Sequence, residues 1–196
     1  MTNRRLLTGV ALSLVASFAT AMAAELPRKA PDLTVAMPAG KPVHLSEYKG
    51  KVVAVIFILT TCSHCQKTVG LLSKLQTQYA PGGVFQVLAS AIQEGAAAAV
   101  PGFVKAFNVP FPVGYNDPMT AINFMQHPPA VGPHMPMLAF VDRTGNIRAQ
   151  FEGDDEKFFG PQQEQNLRAQ IEALIKEPPP AAPKSTPKKG PAKKQS

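Results

Sequence analysis

The sequence predicts an α/β fold: a central mixed β-sheet flanked by helices on both faces, preceded by an N-terminal extension. Three observations carry this expectation. Val52 to Leu59 is an unbroken apolar run rich in β-branched residues, bounded by Gly50-Lys51 and Thr60-Thr61, as expected of a strand covered on both faces. After Cys65 the apolar period changes to helical spacing. Near the C-terminal end, two apolar segments flank a turn-type tetrapeptide and an amphipathic segment follows, so strand–helix–strand leads into a hairpin and a closing helix.

The individual elements follow in order. Val69, Leu71, Leu72, Leu75 and Tyr79 line one side of a helix that Pro81-Gly82-Gly83 stops. Val84 to Ala89 is a second buried strand. Pro101 to Phe107 is a short helix, Val109-Pro110-Phe111-Pro112 a proline-broken connection, and Asp117 to Met125 another short helix. Gln126 to Pro129 reads as a rigid loop. Met137 to Val141 and Ile147 to Phe151 form a hairpin around Asp142-Arg143-Thr144-Gly145. The acidic stretch Glu152 to Glu156 reads as a solvated turn, because it lacks a full calcium-ligand loop. Gln162 to Lys176 closes the fold with Leu167, Ile171, Leu174 and Ile175 on one face.

The chain of 196 residues, 45% hydrophobic, is long enough for one packed core and too apolar for a disordered or fibrous protein. Its net charge of +7 suggests nucleic acid until the charges are located. Arg4 and Arg5 lie in the first five residues, and Lys184, Lys188, Lys189, Lys193 and Lys194 in the last thirteen. Between them 13 basic residues face 13 acidic ones, so the central part is neutral and nucleic acid drops out as a partner.

Residues 1–23 read as a secretory signal: Arg4 and Arg5, an apolar stretch from Leu6 to Ala21, then Ala21-Met22-Ala23 as the small-x-small cleavage site before Ala24. Thr8, Ser13, Ser17 and Thr20 dilute the apolar run, which favours cleavage over an uncleaved membrane anchor. The expected location is therefore periplasmic or otherwise extracytoplasmic. From Pro178 to Ser196, Pro, Ala, Lys and Ser dominate, so this segment reads as a disordered basic tail. Such a tail either solubilises the protein or makes weak contact with an anionic surface. The folded domain is expected over residues 24–177.

The two cysteines, Cys62 and Cys65, sit where the central strand meets the first helix. A helix N-terminus offers unpaired N–H groups and partial positive charge, which stabilise a thiolate. Cys62 is then the exposed nucleophile, and Cys65, one turn further in, resolves a mixed disulfide. A stapling disulfide this local would constrain little of the unfolded chain. A metal site would need ligands beyond two cysteines. His64, just before Cys65, either tunes the couple towards the oxidising side, with Lys67 nearby, or is a solvated histidine with no coupling.

Ala30-Pro31-Asp32-Leu33-Thr34, Leu45 to Val53, the strand into Cys62-Ser63-His64-Cys65, and Met135-Pro136-Met137 through Gly145 together resemble the TlpA/ResA-like thioredoxin family, related to AhpC/TSA proteins, across about residues 28–176. The resemblance implies a thioredoxin fold with no cofactor. It implies thiol–disulfide exchange with protein cysteines and a redox partner protein, often in cytochrome c maturation or copper-site assembly. It also implies that Pro136 is a cis-proline facing the cysteines, with Met135 presented to a docking substrate. Three features depart from the family pattern: Thr61 replaces an aromatic residue, His64 replaces proline, and no carboxylate lies in the preceding strand. The proton acceptor for Cys65 would then be water or His64.

An alternative is a Cu(I) carrier using Cys62 and Cys65 with His134 and Met135, since thiolate, imidazole and thioether suit that ion. Sco-type copper carriers separate their cysteines by three residues, and this chain has two between them. A peroxiredoxin would show Pro and Thr where Val55 and Leu59 stand.

Overall fold

The computed structural model describes residues 24–128 and 130–178. The signal reading over 1–23, and the tail reading apart from Pro178, lie outside the described residues. Among these, no helix is long and apolar enough to cross a membrane.

Among the described residues, eight strands and five α-helices follow in the order β1 (Arg28–Lys29), β2 (Thr34–Val35), β3 (Val43–His44), β4 (Val52–Ile58), α1 (Ser63–Tyr79), β5 (Phe85–Ala91), α2 (Ala96–Phe107), β6 (Val113–Tyr115), α3 (Pro118–Met125), β7 (Met137–Val141), β8 (Asn146–Glu152), α4 (Glu156–Phe159) and α5 (Gln163–Lys176). The main sheet has the order β1-β8-β7-β4-β5-β6, and β2 and β3 form a separate two-stranded ribbon. β4 runs parallel to β5 and antiparallel to β7, so the sheet is mixed as expected.

β4 is buried along its whole length, and its alternation divides the core. Val52, Ala54, Ile56 and Ile58 pack with α1, α2 and α5 through Val69, Leu72, Val100, Leu167 and Ile171. Val53, Val55 and Phe57 pack on the other face with α3 and the N-terminal segment, through Phe124, Met125, Leu33 and Val35. The period of 2 in β4 therefore places each successive residue in a different core layer.

Three parts differ from the sequence expectation. Helix α2 starts at Ala96, not at Pro101; the run Ala96 to Ala99 favours helix, and Pro101 sits inside it, exposed, where its missing N–H removes one internal bond. The proline-broken segment leads into β6, which pairs with β5 over Ala89–Ala91 only. Gly114 in β6 lies so close to Ala36 that a Cβ would fall 2.2 Å from its carbonyl oxygen. Finally, the acidic stretch is not a solvated turn throughout: Glu152 ends β8, and Asp155 caps α4 by accepting from the Phe158 N–H at 3.0 Å.

Buried polar side chains tie these layers together. Gln76 of α1 accepts the Val87 N–H at 2.7 Å, satisfying a β5 donor that β6 is too short to reach. Gln163 of α5 donates to Thr68 Oγ1 of α1 at 2.7 Å.

Candidate active site

Strand register assembles the site. Ile58, the last residue of β4, pairs with Ala91, the last of β5. On the other side Phe57 pairs with Met137, the first residue of β7, and Met137 in turn pairs with Glu152, the last of β8. The segments following β4, β5 and β8 and preceding β7 thus share one edge of the sheet. That edge is the carboxyl end of the parallel pair, where open α/β sheets place their sites.

The cysteine motif lies in the first of these segments. The Cys62 N–H donates to the Leu59 carbonyl at 3.1 Å, and the Cys62 carbonyl accepts the Gln66 N–H at 2.9 Å. Cys62 therefore stands in the N-cap position of α1, with Cys65 three residues on. The Cys65 N–H donates to Cys62 Sγ at 3.4 Å, the bond that a capping side chain receives from the third helical residue. The spacing of two intervening residues is what lets one sulfur cap the helix while the other enters its first turn.

The two thiols differ in environment. Both are free; Cys62 is half-buried and Cys65 is fully buried. Burial pushes the Cys65 thiol far above its ordinary range, and the nearby Leu59 backbone offsets only part of this. Cys62 is therefore the more accessible of the two sulfurs. His64, between them, is exposed, as is Lys67 beyond Cys65, and the His64 carbonyl accepts from Thr68 Oγ1 at 2.8 Å.

A polar brace behind the motif had no signal in the sequence. Gln66 Nε2 donates to the Thr60 carbonyl at 2.9 Å, and Gln93 Oε1 accepts the Thr60 N–H at 3.3 Å. Gln93 Nε2 also donates to Thr60 Oγ1. Gln93 lies just past β5, so only the β4–β5 register reveals its place beside Thr60.

Opposite this turn, the Met135–Pro136 peptide bond is cis. Pro136 is buried, and half-buried Met135 packs against both core layers, with Cys62 packed against one of them. The Gly153 N–H donates to the His134 carbonyl at 2.9 Å. A Cβ on Gly153 would lie 2.1 Å from the Met135 carbonyl oxygen, so only glycine permits this approach.

The structure does not gather the copper alternative's ligands into one cluster. His134 Nδ1 lies 3.4 Å from Asp154 Oδ2, and with Glu152 they form the one group of three or more His, Cys, Asp or Glu side chains, among the described residues, whose ligand atoms lie within 4.8 Å of one another. His127, in the expected rigid loop, is buried: Nδ1 meets Glu152 Oε1 at 2.6 Å and Nε2 meets the Val131 carbonyl at 2.8 Å. A carboxylate and a carbonyl facing the two ring nitrogens favour a proton on each. Burial alone would disfavour the cation, but these two partners prevail and raise the His127 pKa. A cavity of about 320 Å³ lies at the other end of the sheet, beside Val53, Val141, Tyr48 and Lys49, remote from the cysteines.

The sequence profile of the family described as Redoxin matches residues 27–171. A thiol-disulfide oxidoreductase ResA of Bacillus cereus (strain ZK / E33L) is 27% identical over 150 residues, covering 76% of this chain and 79% of its own. ResA of Bacillus anthracis is 28% identical over 133 residues, covering 68% and 73%. Among solved structures, a Chlorobium tepidum protein provisionally assigned as the thiol:disulfide interchange protein DsbE superposes with a TM-score of 0.64 at 26% identity, covering 76% of this chain and 96% of its own. A secreted Mycobacterium tuberculosis disulfide oxidoreductase superposes with a TM-score of 0.57 at 17% identity, covering 72% and 96%, a likeness of fold alone.

Proposed function

The chain belongs to the Redoxin family and is a thiol–disulfide oxidoreductase of thioredoxin-like fold, and from that premise we propose that it is exported and exchanges disulfides with protein cysteines through Cys62 and Cys65. One observation carries the assignment of roles: the half-buried Cys62 sulfur caps α1 and accepts the Cys65 N–H, while the Cys65 thiol is fully buried and held protonated.

In the reducing direction, the Cys62 thiolate attacks a substrate disulfide. A bond forms between Cys62 Sγ and one substrate sulfur as the substrate S–S bond breaks, and the other substrate sulfur leaves as a thiolate. Cys65 then loses its proton to water or to His64 and attacks Cys62 Sγ. The Cys62–Cys65 disulfide forms, the mixed disulfide breaks, and two electrons have passed to the substrate. Oxidation of a dithiol substrate is the same sequence reversed, and the redox partner protein returns the pair to its starting state. Met135 and Pro136 line the docking groove, and the exposed His64 biases the couple towards the oxidising side.

Export is supported by the leader-like residues 1–23, and residues 24–177 are proposed as the mature folded domain. The basic tail is proposed to make at most loose contact with anionic surfaces. Roles in cytochrome c maturation or copper-site assembly are the substrate classes this reading favours. The Cu(I)-carrier alternative is the weaker proposal, because His134 is placed with Asp154 and Glu152.

Trapping tests the roles. Cys65→Ser should accumulate a mixed disulfide with a protein substrate, seen as a band lost on reduction, and Cys62→Ser should not. The reverse pattern would overturn the assignment.

A further inference from the structure

We propose that His134, Glu152 and Asp154 form a divalent-metal site of the zinc type at the rim of the docking groove, separate from the cysteine pair. It goes beyond the thiol chemistry and does not depend on it.

The donor set and its spacing support this. Zinc bonds to nitrogen and carboxylate oxygen are ~2.0–2.1 Å long, and a tetrahedral angle between two of them puts the ligand atoms about 3.3 Å apart. His134 Nδ1 and Asp154 Oδ2 already stand 3.4 Å apart, and a Glu152 oxygen lies within 4.8 Å of both. One imidazole with two carboxylates suits zinc and its transition-metal neighbours, whereas the nitrogen donor disfavours calcium and magnesium. Three protein ligands leave a fourth position open to water or a substrate group.

The backbone around these ligands is fixed. The Gly153 N–H bond to the His134 carbonyl links the two ligand-bearing segments, and the Met137–Glu152 pairing anchors Glu152 to the sheet. The side chains of His134 and Asp154 are 58% and 59% exposed, so they can move the last fraction of an ångström without disturbing the core. Glu152 is oriented from behind by buried His127, which holds one carboxylate oxygen at 2.6 Å. Ligating carboxylates characteristically have such an outer partner.

Calorimetric titration of the full chain with Zn²⁺ tests this, with the protein in its disulfide form so that thiolates do not compete. One equivalent should bind saturably. His134→Ala and Asp154→Asn, both at exposed positions, should each weaken binding roughly tenfold or more, the lower edge of what loss of even an outer partner costs. His64→Ala should leave it unchanged. Absence of saturable binding below ~1 mM, equal affinity in the His134 and Asp154 variants, or loss of binding in His64→Ala would each overturn the proposal.

Discussion

At the scale of single residues, the first cysteine has a structural role besides its proposed chemistry: it caps the helix that the second one enters. The Cys65 N–H that reaches Cys62 Sγ at 3.4 Å is an orphan donor of the first helical turn. The motif thus satisfies a backbone donor with one of its own sulfurs. Cys62, Cys65 and His64 were legible in the sequence because they are contiguous and follow a strand. Gln93 and Thr60 were not, because they meet only through strand register. Gly153 is the clearest single position at which the backbone depends on an absent side chain. Gly153→Ala should force the Met135–Pro136 segment outwards and lower stability by about 1–3 kcal/mol, as overpacking does. Urea denaturation would show it as a lower midpoint with an unchanged slope. An unchanged midpoint would mean that the loop yields freely.

At the scale of elements, the β7–β8 hairpin depends on one carboxylate. Asp142 is buried and accepts from the Thr144 N–H, the Thr144 hydroxyl and the Asn146 N–H at 2.8, 2.6 and 3.0 Å, with Arg148 at 3.2 Å. Burial alone would raise its pKa, but these donors prevail and hold it below the ordinary value. Because the folded value lies below the unfolded value of about 3.9, the contribution to stability is complete above that pH. It is lost as pH falls through the folded value. Asp142→Asn should therefore unfold more easily at pH 7 than the parent, with the gap narrowing in acid; a gap independent of pH would argue against the carboxylate. The long elements, β4, α1, β5, β7 and α5, were legible because burial imposes a period on them. Short β6 was not, because three residues carry no period and owe their extension to pairing with Ala89–Ala91. Helix α2 began five residues early because the alanine run outweighs one proline.

At the scale of the whole molecule, β4 divides the core into two layers, with α1, α2 and α5 on one side and α3 with the N-terminal segment on the other. The first layer aims the N-terminus of α1 at the motif, and through it redox state should be coupled to global stability. A thiolate favoured at a helix end stabilises the reduced form, so the couple should be more oxidising than ~−270 mV. The reduced protein should then melt above the oxidised one. Equilibration with glutathione gives the first quantity and calorimetry of the two forms gives the second. A lower potential with the melting order reversed would remove the proposed influence of His64.

The sequence by itself determined the α/β class, the long buried elements and the cysteine pair at a strand–helix junction, because burial and capping act over a few neighbouring residues. Tertiary structure alone decided which segments share the reactive edge. It brought Pro136, Gln93, His134, Glu152 and Asp154 there from three separate stretches of chain through the pairing of β4 with β5 and β7, and of β7 with β8. It also paired His127 with Glu152, 25 residues apart. No local pattern encodes these meetings, since register follows from packing both faces of the sheet at once.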